Sequence, residues 1–343
     1  MILRSSCPAR PRITSMTAHA ADAVKEHYDP DRLDQYRREL TGYCYRMLGS
    51  GYEAEDAVQE VMLRALRAGE SFEGRSTVRS WLYRIATNVC LDQLRGRNRR
   101  AWPVGLGPSS APHEDSLGPL LPEHAWVSPV ADDRVLPESG DPAEIAAARE
   151  TIRLAFVTAL QHLPPRQRAI LVLCQVLRFE AAEVAEQLGT TVAAVNSALQ
   201  RARATLGALT EEERPTEVSA DHADLLGRYM DAFERYDMEA FVHLLHDDAI
   251  QCMPPFAMWL QGASDIVTWM LGPGASCRGS RLISTVANGC PAFAQYRIDP
   301  AGGFAPWALH VLEISGGRVQ SISAFLDTER VFPSFGLPAH LPA

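Results

Sequence analysis

The stretch Asp56-Ala57-Val58-Gln59-Glu60-Val61 lies at the centre of the pattern that decides the fold of the first third of this chain. From residue 53 to residue 69, apolar side chains recur every three to four positions, which predicts one amphipathic helix. Its apolar positions are Ala57, Val58, Val61, Met62, Ala65 and Leu66. The polar side chains left for its outer face are Asp56, Gln59, Glu60 and Arg64.

A second helix is predicted over 76–97, and it carries a basic outer face. Its buried side is formed by Trp81, Leu82, Ile85, Ala86, Val89 and Cys90. The opposite side carries a polar stripe of roughly 22 Å, at a rise of about 1.5 Å per residue. The stripe consists of Arg84, Asn88, Arg95 and Arg99. A stripe of this length and charge suits contact with a nucleic-acid strand, although a solvated helix face has the same composition.

Residues 101–147 interrupt the helical pattern. From 101 to 142 the chain contains eight prolines and four glycines without a sustained period, which predicts a flexible, acidic, proline-rich linker.

Beyond this linker, the pattern of 163–209 predicts two helices, a turn at Gly189-Thr190-Thr191, and a last helix over 192–206. This spacing fits a helix-turn-helix motif, in which the final helix enters the major groove.

The sequence pattern changes from all-helical to mixed helix and strand after an acidic stretch at 211–217. Residues 221–246 are predicted to form two helices, and five strand-like runs follow at 249–253, 281–287, 292–298, 307–314 and 318–326. The last two runs are joined by Gly316-Gly317, which is a hairpin signal. The prediction for this part is an α+β domain with a curved antiparallel sheet.

Composition excludes several classes of protein. A chain of 343 residues is long enough for two or three domains, and its apolar runs fall short of the ~20 residues that cross a bilayer. The net charge of -9 argues against a generic polyanion binder, although arginines concentrate in the two helical segments.

The cysteine pattern and the absence of certain motifs indicate the cellular compartment and whether a metal or cofactor is bound. The seven cysteines are scattered without a Cys-x-x-Cys spacing, which indicates reduced thiols, and the N-terminus lacks the apolar core of a secretory signal. We therefore expect a cytoplasmic protein. Without a Walker motif, a Gly-rich phosphate loop or a His/Cys ligand set, we expect no metal and no cofactor.

Two stretches of the chain resemble a known family. The run 56–61, Phe72, the run Trp81-Leu82-Tyr83-Arg84-Ile85-Ala86-Thr87-Asn88 and residues 92–95 are similar to region 2 of extracytoplasmic-function (ECF) sigma factors of the sigma-70 family. Leu163-Pro164-Pro165-Arg166-Gln167-Arg168 through Ala202-Arg203 is similar to their region 4. The resemblance implies a disordered N-terminus at 1–23, region 2 at 24–100, the linker at 101–147, region 4 at 148–210 and a connector at 211–220.

Membership of this family implies an RNA polymerase initiation subunit that directs promoter-specific transcription. Region 2 would read and melt the -10 element, region 4 would read the -35 element, and the partners would be core RNA polymerase and promoter DNA. The contacts on polymerase would be the coiled coil of the largest subunit and the flap. The polymerase-binding role falls on Asp56, Gln59 and Glu60. The -10 role falls on Arg79, Trp81, Arg84, Asn88 and Arg95. The -35 role falls on Asn196, Ser197, Gln200, Arg201 and Arg203.

These residue types suit the implied roles. Arginine holds phosphate, asparagine takes the edge of a base, and an aromatic ring stacks on an unstacked base. Trp81 also has the spacing of a core residue, which is the alternative for that position. Relatives commonly carry basic residues where this chain has Asn196 and Ala198, so the -35 sequence cannot be carried over from them.

Residues 221–343 resemble the SnoaL-like extension of a sigma-factor subgroup. The residues that carry this resemblance are Asp247-Asp248, Met253-Pro254-Pro255-Phe256, Trp259, Gly262, Ala324-Phe325-Leu326-Asp327 and Phe335-Gly336-Leu337-Pro338. It implies a multidomain chain of two all-α domains and a cone-shaped α+β domain around an apolar pocket. The candidate pocket residues are Met253, Trp259, His310 and Asp327, and the expected occupant is a small apolar ligand.

The favoured role for the third domain is regulation in cis rather than catalysis, because fold analogy alone does not establish an activity. Two alternatives remain at this point. One is a helix-turn-helix regulator that acts without polymerase. The other is a DNA-binding scaffold fused to an isomerase-like enzyme, whose turnover would depend on His310 or Asp327.

Overall fold

The computed structural model describes residues 29–69, 72, 74, 76–210 and 222–343. The predicted disordered N-terminus at 1–23 and the predicted connector at 211–220 lie outside the described residues. The described chain forms two helical domains, a segment of short helices between them, and a C-terminal domain built on one six-stranded sheet.

The first helical domain contains both helices that the sequence predicts in this part. Ser50 caps the second helix by accepting a hydrogen bond from the Glu53 N–H, and Thr77 caps the third by accepting one from the Ser80 N–H. Gly49 ends the first helix in the left-handed region, at φ 71°. The elements are the 3-10 turn Pro30–Tyr36, α1 Arg37–Leu48, α2 Gly51–Ala68 and α3 Val78–Leu94.

Residues 101–147 differ from the flexible linker that their composition predicts. Val127 and Val130 are buried in the same core as the first helical domain, and the Arg100 guanidinium donates to the Trp126 carbonyl at 2.6 Å. The apolar side chains between the prolines offset the entropic cost of ordering the segment, and counting prolines does not detect them. The short elements here are the 3-10 turns Pro103–Gly105, Glu114–Ser116 and Glu123–Ala125 and the helix α4 Asp132–Val135.

The second helical domain contains the predicted helix-turn-helix. Asp141 caps its first helix by accepting the Ala143 N–H at 2.8 Å. Gly189, at φ 58°, turns the chain between the last two helices. The elements are α5 Pro142–Glu150, α6 Leu154–Gln161, α7 Pro165–Leu171 with the π-helical turn Val172–Val176, α8 Ala181–Gln187 and α9 Val192–Thr210.

The C-terminal domain is the predicted α+β unit, with two differences in the sheet. The strand order is β2-β1-β6-β5-β4-β3, and β1 pairs with β6 in parallel, whereas the sequence predicts a fully antiparallel sheet. The short strand β2 is not predicted. The helices are α10 Ala223–Arg235, α11 Met238–Val242, α12 Ala263–Leu271 and α13 Thr328–Ser334. The strands are β1 Leu245–Cys252, β2 Trp259–Gln261, β3 Arg281–Ala287, β4 Cys290–Ile298, β5 Phe304–Ser315 and β6 Arg318–Phe325.

The two faces of this sheet belong to different cores. One face packs against α10, α11 and α12 in a cluster that includes Phe233, Phe241 and Phe293. The opposite face shares a single buried cluster with α13 and both helical domains. The three domains are therefore packed against one another through continuous apolar contact, and none of the described helices is long and apolar enough to cross a bilayer.

Candidate nucleic-acid and polymerase interface

The outer face of α2 carries the three residues predicted to bind polymerase. Asp56 and Gln59 are exposed, and Glu60 is half-buried. Two leucines extend the same stripe at helical spacing, since Leu63 is 47% exposed and Leu66 is 51% exposed. The sequence placed Leu66 among the buried positions, and that prediction was wrong.

An ion-pair network connects this face of α2 to α3. Glu60 accepts from Arg64 at 2.6 Å, Arg64 lies 4.0 Å from Asp92, and Asp92 pairs with Arg95 at 3.1 Å. The pairs are largely exposed, so each contributes little to stability. Their effect is to hold the side chains of the predicted polymerase face and of the predicted -10 face in a common orientation.

The predicted -10 residues fall into two groups in the structure. Arg84, Asn88 and Arg95 are exposed at the surface of α3 and just beyond its end. Trp81 is only 6% exposed and packs on Phe72 with ring centroids 5.1 Å apart, which is the environment of a core residue. The structure therefore places Trp81 in the core, which is the alternative that its spacing also indicated.

Arg79 lies beneath the second helical domain. Its Nε is 3.0 Å from a Glu39 carboxylate oxygen, and its guanidinium lies 4.8 Å from the ring centroid of Phe179, which precedes α8. The same junction is closed by Tyr83, whose ring centroid is 5.2 Å from that of Phe179, and by Gln187, which donates to the Ser80 hydroxyl at 2.7 Å. The second helical domain thus covers the first half of α3.

The last helix of the helix-turn-helix, α9, presents one polar face to solvent. Asn196, Ser197, Gln200 and Arg201 are exposed and follow the i, i+4 spacing of a single helix side, while Val195, Ala198, Leu199 and Ala202 are buried. Arg203 is also exposed and lies on the same side of the helix, three residues after Gln200 and seven after Asn196. Burial raises the pKa of the Cys174 thiol, and the charge of Arg203 opposes that rise.

The four candidate pocket residues have different surroundings. Trp259 donates its indole N–H to the Gly107 carbonyl at 3.0 Å, and so contacts the segment between the helical domains. Asp327 precedes α13, where burial raises the pKa of its carboxyl, and it lies 3.6 Å from Arg330. Met253 and His310 are buried in the interior of the domain. The structure therefore does not place these residues around one common ligand.

His310 is held in a hydrogen-bonded chain inside the cone. Its Nδ1 lies 3.3 Å from the Tyr229 hydroxyl and its Nε2 lies 3.0 Å from the Gln295 amide oxygen. Tyr229 also stacks on Phe293, with ring centroids 5.3 Å apart. Both ring nitrogens therefore have partners, and burial lowers the pKa of His310 to about 4.

His310 is expected to make the protein less stable in mild acid. The imidazole stays neutral in the folded chain down to about pH 4 but takes up a proton near pH 6.5 when unfolded. Its contribution is complete above pH 6.5 and falls as the pH drops toward 4, by about 3 kcal/mol in total. His310→Gln, which keeps a donor and an acceptor, should flatten this dependence in urea unfolding measured at several pH values. An identical dependence in both proteins would contradict the assignment.

Sequence reasoning missed the contact made by the β3–β4 hairpin. Asn288, at its tip, is fully buried; its Nδ2 donates to the Tyr45 hydroxyl at 2.6 Å and to the Ile152 carbonyl at 2.7 Å. Its Oδ1 accepts the Val130 N–H at 3.0 Å. One side chain thus bonds the first helical domain, the intervening segment and the second helical domain.

Gly289 completes the hairpin tip. Its N–H donates to Asp132 at 2.8 Å, its φ is 71°, and a Cβ at this position would lie 3.0 Å from the Arg149 carbonyl oxygen. Only glycine fits this conformation so close to the second helical domain. The Asn-Gly dipeptide is a hairpin signal that could have located the turn, but not its buried position.

Two helical domains with polar faces on α2, α3 and α9, the second carrying a helix-turn-helix, define a transcription initiation factor of the sigma type. Residues 33–100 match Sigma-70 region 2, and residues 153–206 match Sigma-70, region 4. The chain is 46% identical to the ECF RNA polymerase sigma factor SigG of Mycobacterium tuberculosis over 347 residues, covering 96% of this chain and 91% of SigG. The chain belongs to the ECF RNA polymerase sigma factor family.

Solved structures agree with this fold. The crystal structure of the ECF sigma factor SigJ of Mycobacterium tuberculosis superimposes with a TM-score of 0.57 at 24% identity, covering 90% of this chain and 100% of SigJ. An NTF-2 like protein from Burkholderia xenovorans aligns with 31% of this chain and 81% of its own, at 17% identity and a TM-score of 0.27. The SigJ structure confirms the multidomain architecture of two helical domains followed by a C-terminal α+β domain.

Proposed function

We propose that this sigma factor is held by its C-terminal domain in a closed arrangement that must open before both promoter elements can be read. In this proposal, which places the protein in the cytoplasm, Asp56, Gln59 and Glu60 bind the coiled coil of the largest polymerase subunit. Region 4, which comprises α6 to α9, binds the flap. The observation that carries the proposal is the single residue Asn288, which joins both helical domains through three hydrogen bonds.

Distance is the first argument for the closed state. Positions -35 and -10 lie roughly 85 Å apart on B-form DNA, at about 3.4 Å per base pair. In the structure α8 contacts both α3 and α9, so the two helices proposed to read DNA lie about two helix diameters apart, roughly 20 Å. The arrangement is far too short to place them on both elements at once.

Occlusion is the second argument. Arg79, to which we assign a -10 contact, is covered by Phe179 and bonded to Glu39. Its side chain is 37% exposed, and the guanidinium is freed for DNA only if region 4 moves off it. The outer face of α2 is exposed in the same arrangement, so polymerase can dock there first and its flap can then draw region 4 away from α3.

The C-terminal domain also holds the segment between the helical domains. The Ser110 N–H donates to the Trp259 carbonyl at 2.8 Å and the Leu121 N–H donates to the Pro255 carbonyl at 3.1 Å, beside the indole bond to Gly107. A net contribution of about 1 kcal/mol per hydrogen bond makes these contacts strong enough to restrain the segment and weak enough to release it. The proposed role is therefore regulatory, and it requires neither turnover nor a bound ligand.

Promoter selection tests the DNA-reading part of the proposal. Replacing Asn196 and Gln200 with alanine should lower transcription from the cognate promoter by at least about 30-fold, because each lost base contact costs about 1–3 kcal/mol and two are lost. Arg203→Ala, which removes a charge that suits a flanking phosphate rather than a base edge, should weaken all promoters about equally. The measurement is in vitro transcription with core polymerase on promoters that differ only at -35. Unchanged promoter preference in the double variant would reject the assignment of this face.

A further inference from the structure

Two arginines without an ion pair lie together at one end of the C-terminal domain. Residues 222–343 contain seven arginines and no lysine, and five of these arginines are paired with a carboxylate of the same domain. The two that have no ion pair within this part of the chain are Arg278 and Arg297. Both act on the same side chain, since burial raises the pKa of Tyr236 to about 12 and the charges of both guanidiniums oppose that rise.

Each of the two guanidiniums lies over an aromatic ring. Arg297 is 4.0 Å from the ring centroid of Trp307, and Arg278 is 4.7 Å from that of Tyr236. Stacking fixes the plane of a guanidinium and leaves the N–H donors at its edge directed away from the ring. The two side chains are therefore already ordered, so little conformational entropy is lost when a carboxylate binds to them.

The carboxylates that neighbour this group in the sequence have other partners. Glu234 accepts the Leu282 N–H at 2.8 Å, and Asp299 accepts the Ala301 N–H at 2.8 Å within its own turn. Glu234 is also the ion-pair partner of Arg281, at 3.6 Å. The positive charge of the two stacked arginines is therefore not neutralised within the described part of this domain.

Exposed apolar side chains adjoin the two arginines. Ile298 follows Arg297 and is 63% exposed, and Trp307 is 40% exposed. Ile298 also packs over Gly279, the residue after Arg278, because a Cβ added to this glycine would lie 2.9 Å from the Ile298 Cδ1. Tryptophan and arginine are enriched in the contacts between proteins. We call these four side chains, Arg278, Arg297, Ile298 and Trp307, the distal surface.

The distal surface lies at the opposite end of the β3–β4 hairpin from Asn288. β4 runs from Cys290 to Ile298, so at about 3.3 Å per residue the surface is roughly 26 Å from the hairpin tip. It is therefore separate from the junction of the three domains. It is also separate from the polar faces of α2, α3 and α9, to which the polymerase and DNA contacts are assigned.

We propose that the distal surface binds a short acidic segment of a partner protein, in which carboxylates flank an apolar side chain. The carboxylates pair with the edges of Arg278 and Arg297, and the apolar side chain covers Ile298. Charge disfavours duplex DNA as the occupant. Residues 222–343 carry twelve carboxylates against seven arginines, and this net charge of -5 repels a continuous phosphate backbone. A phosphate backbone also offers nothing apolar to cover Ile298.

A partner on the distal surface can act on the closed arrangement through the hairpin. β3 and β4 connect this surface directly to Asn288, which bonds both helical domains. A partner that binds the closed arrangement more tightly than the open one, or the reverse, shifts their equilibrium by that difference in affinity. This consequence rests on the proposed function, whereas the binding surface itself does not.

Peptide selection on the full chain, without polymerase or DNA, tests the distal surface. The probe is a phage-displayed library of random peptides of about twelve residues, long enough to cover the four side chains. Peptides that bind the wild type but not the Arg278→Gln/Arg297→Gln variant should combine Asp or Glu with a large apolar residue. Fluorescence anisotropy of one such peptide should show at least a roughly tenfold loss of affinity in Arg297→Gln, because a charge-assisted pair is lost. Ile298→Ser should weaken the same peptide at least about threefold.

The matched control is Arg228→Gln/Arg318→Gln, which removes two exposed, ion-paired arginines of the same domain. It changes the net charge equally and should leave peptide affinity within about twofold of the wild type. Circular dichroism checks the fold of each variant. Arg278→Gln alone, at an exposed position, takes the place of the double variant if that variant does not fold.

Three results would overturn the proposal. The first is a selection that yields no peptide able to distinguish the wild type from the distal-surface variant. The second is equal loss of binding in the control, which would mean diffuse attraction to net charge. The third is complete displacement of the peptide by an equal concentration of random-sequence duplex, which would assign the surface to nucleic acid. Because the selection contains no polymerase, its failure leaves the proposed function untouched.

Discussion

Reversing the charge of Asp56 and Glu60 together, as Asp56→Arg and Glu60→Arg, is expected to lower the affinity for core polymerase more than 100-fold. Both side chains lie on the outer face of α2, beside the exposed Leu63 and Leu66. If this face meets a basic partner surface, two reversals replace attraction with repulsion at the centre of the contact, and each close charge pair across an interface is worth several kcal/mol.

The fold should survive this change. Asp56 is exposed, and Glu60 is bonded only on the surface, to Arg64. The new like-charge pair costs about 0.5 kcal/mol, so the free energy of unfolding should change by less than about 1 kcal/mol. The measurement is binding of fluorescently labelled sigma factor to core polymerase, with urea unfolding as the stability check.

The matched control reverses two exposed acids elsewhere, Asp224→Arg and Glu239→Arg in the C-terminal domain. It changes the net charge by the same amount and should leave polymerase binding within about twofold of the wild type. Wild-type affinity in the α2 double variant would remove the assignment of this face, and equal loss in the control would reduce the effect to net charge alone.

Replacing Asn288 with glycine is expected to open the closed arrangement and to raise transcription from the cognate promoter by about 10- to 100-fold. Asn288 has φ 56°, a conformation that glycine adopts freely, so the hairpin itself should not be strained. The change removes three buried hydrogen bonds and leaves the Val130 N–H and the Tyr45 hydroxyl without that partner, at a cost of about 1–3 kcal/mol for each unsatisfied group.

Small-angle X-ray scattering and in vitro transcription measure the two expected effects. The radius of gyration of the free protein should increase, and the yield of correctly started transcript should rise. Asp299→Gly, in the turn after β4 at the other end of that strand, is the control for a loosened turn. A variant of unchanged size and unchanged transcription would refute restraint by Asn288. An opened variant with lower transcription would show that the contact activates.

Local sequence patterns predicted α2, α3, the helix-turn-helix and the α+β character of the C-terminal domain, but not α4, α12 or α13. The spacing of apolar residues located α2 and α3, and Gly189 between two helical runs located the helix-turn-helix, because these elements are set by contacts within a few residues. The exposed groups Asp56, Gln59, Arg84, Asn88, Asn196 and Gln200 followed from the same periodicity, since a residue opposite the apolar stripe of a helix must face outward.

The errors have a common physical origin in long-range packing. Leu66 fits the apolar spacing of α2 but lies at the edge of its stripe, where no neighbouring element covers it. The spacing of Trp81 suits a residue that stacks on a base and a core residue equally well. Its packing against Phe72 decides for the core. Proline content made 101–147 read as flexible, but burial of Val127 and Val130 depends on surfaces that other domains supply.

The sequence by itself placed α2, α3 and the helix-turn-helix to within a few residues, because helix periodicity and turn signals are local properties, and its motifs carried the resemblance to sigma factors. Only the tertiary structure decided how the domains are held together. The bonds of Asn288 to Val130, Tyr45 and Ile152 join residues up to 243 positions apart. Contacts of this kind depend on which surfaces come together in space, and no spacing within the chain encodes them.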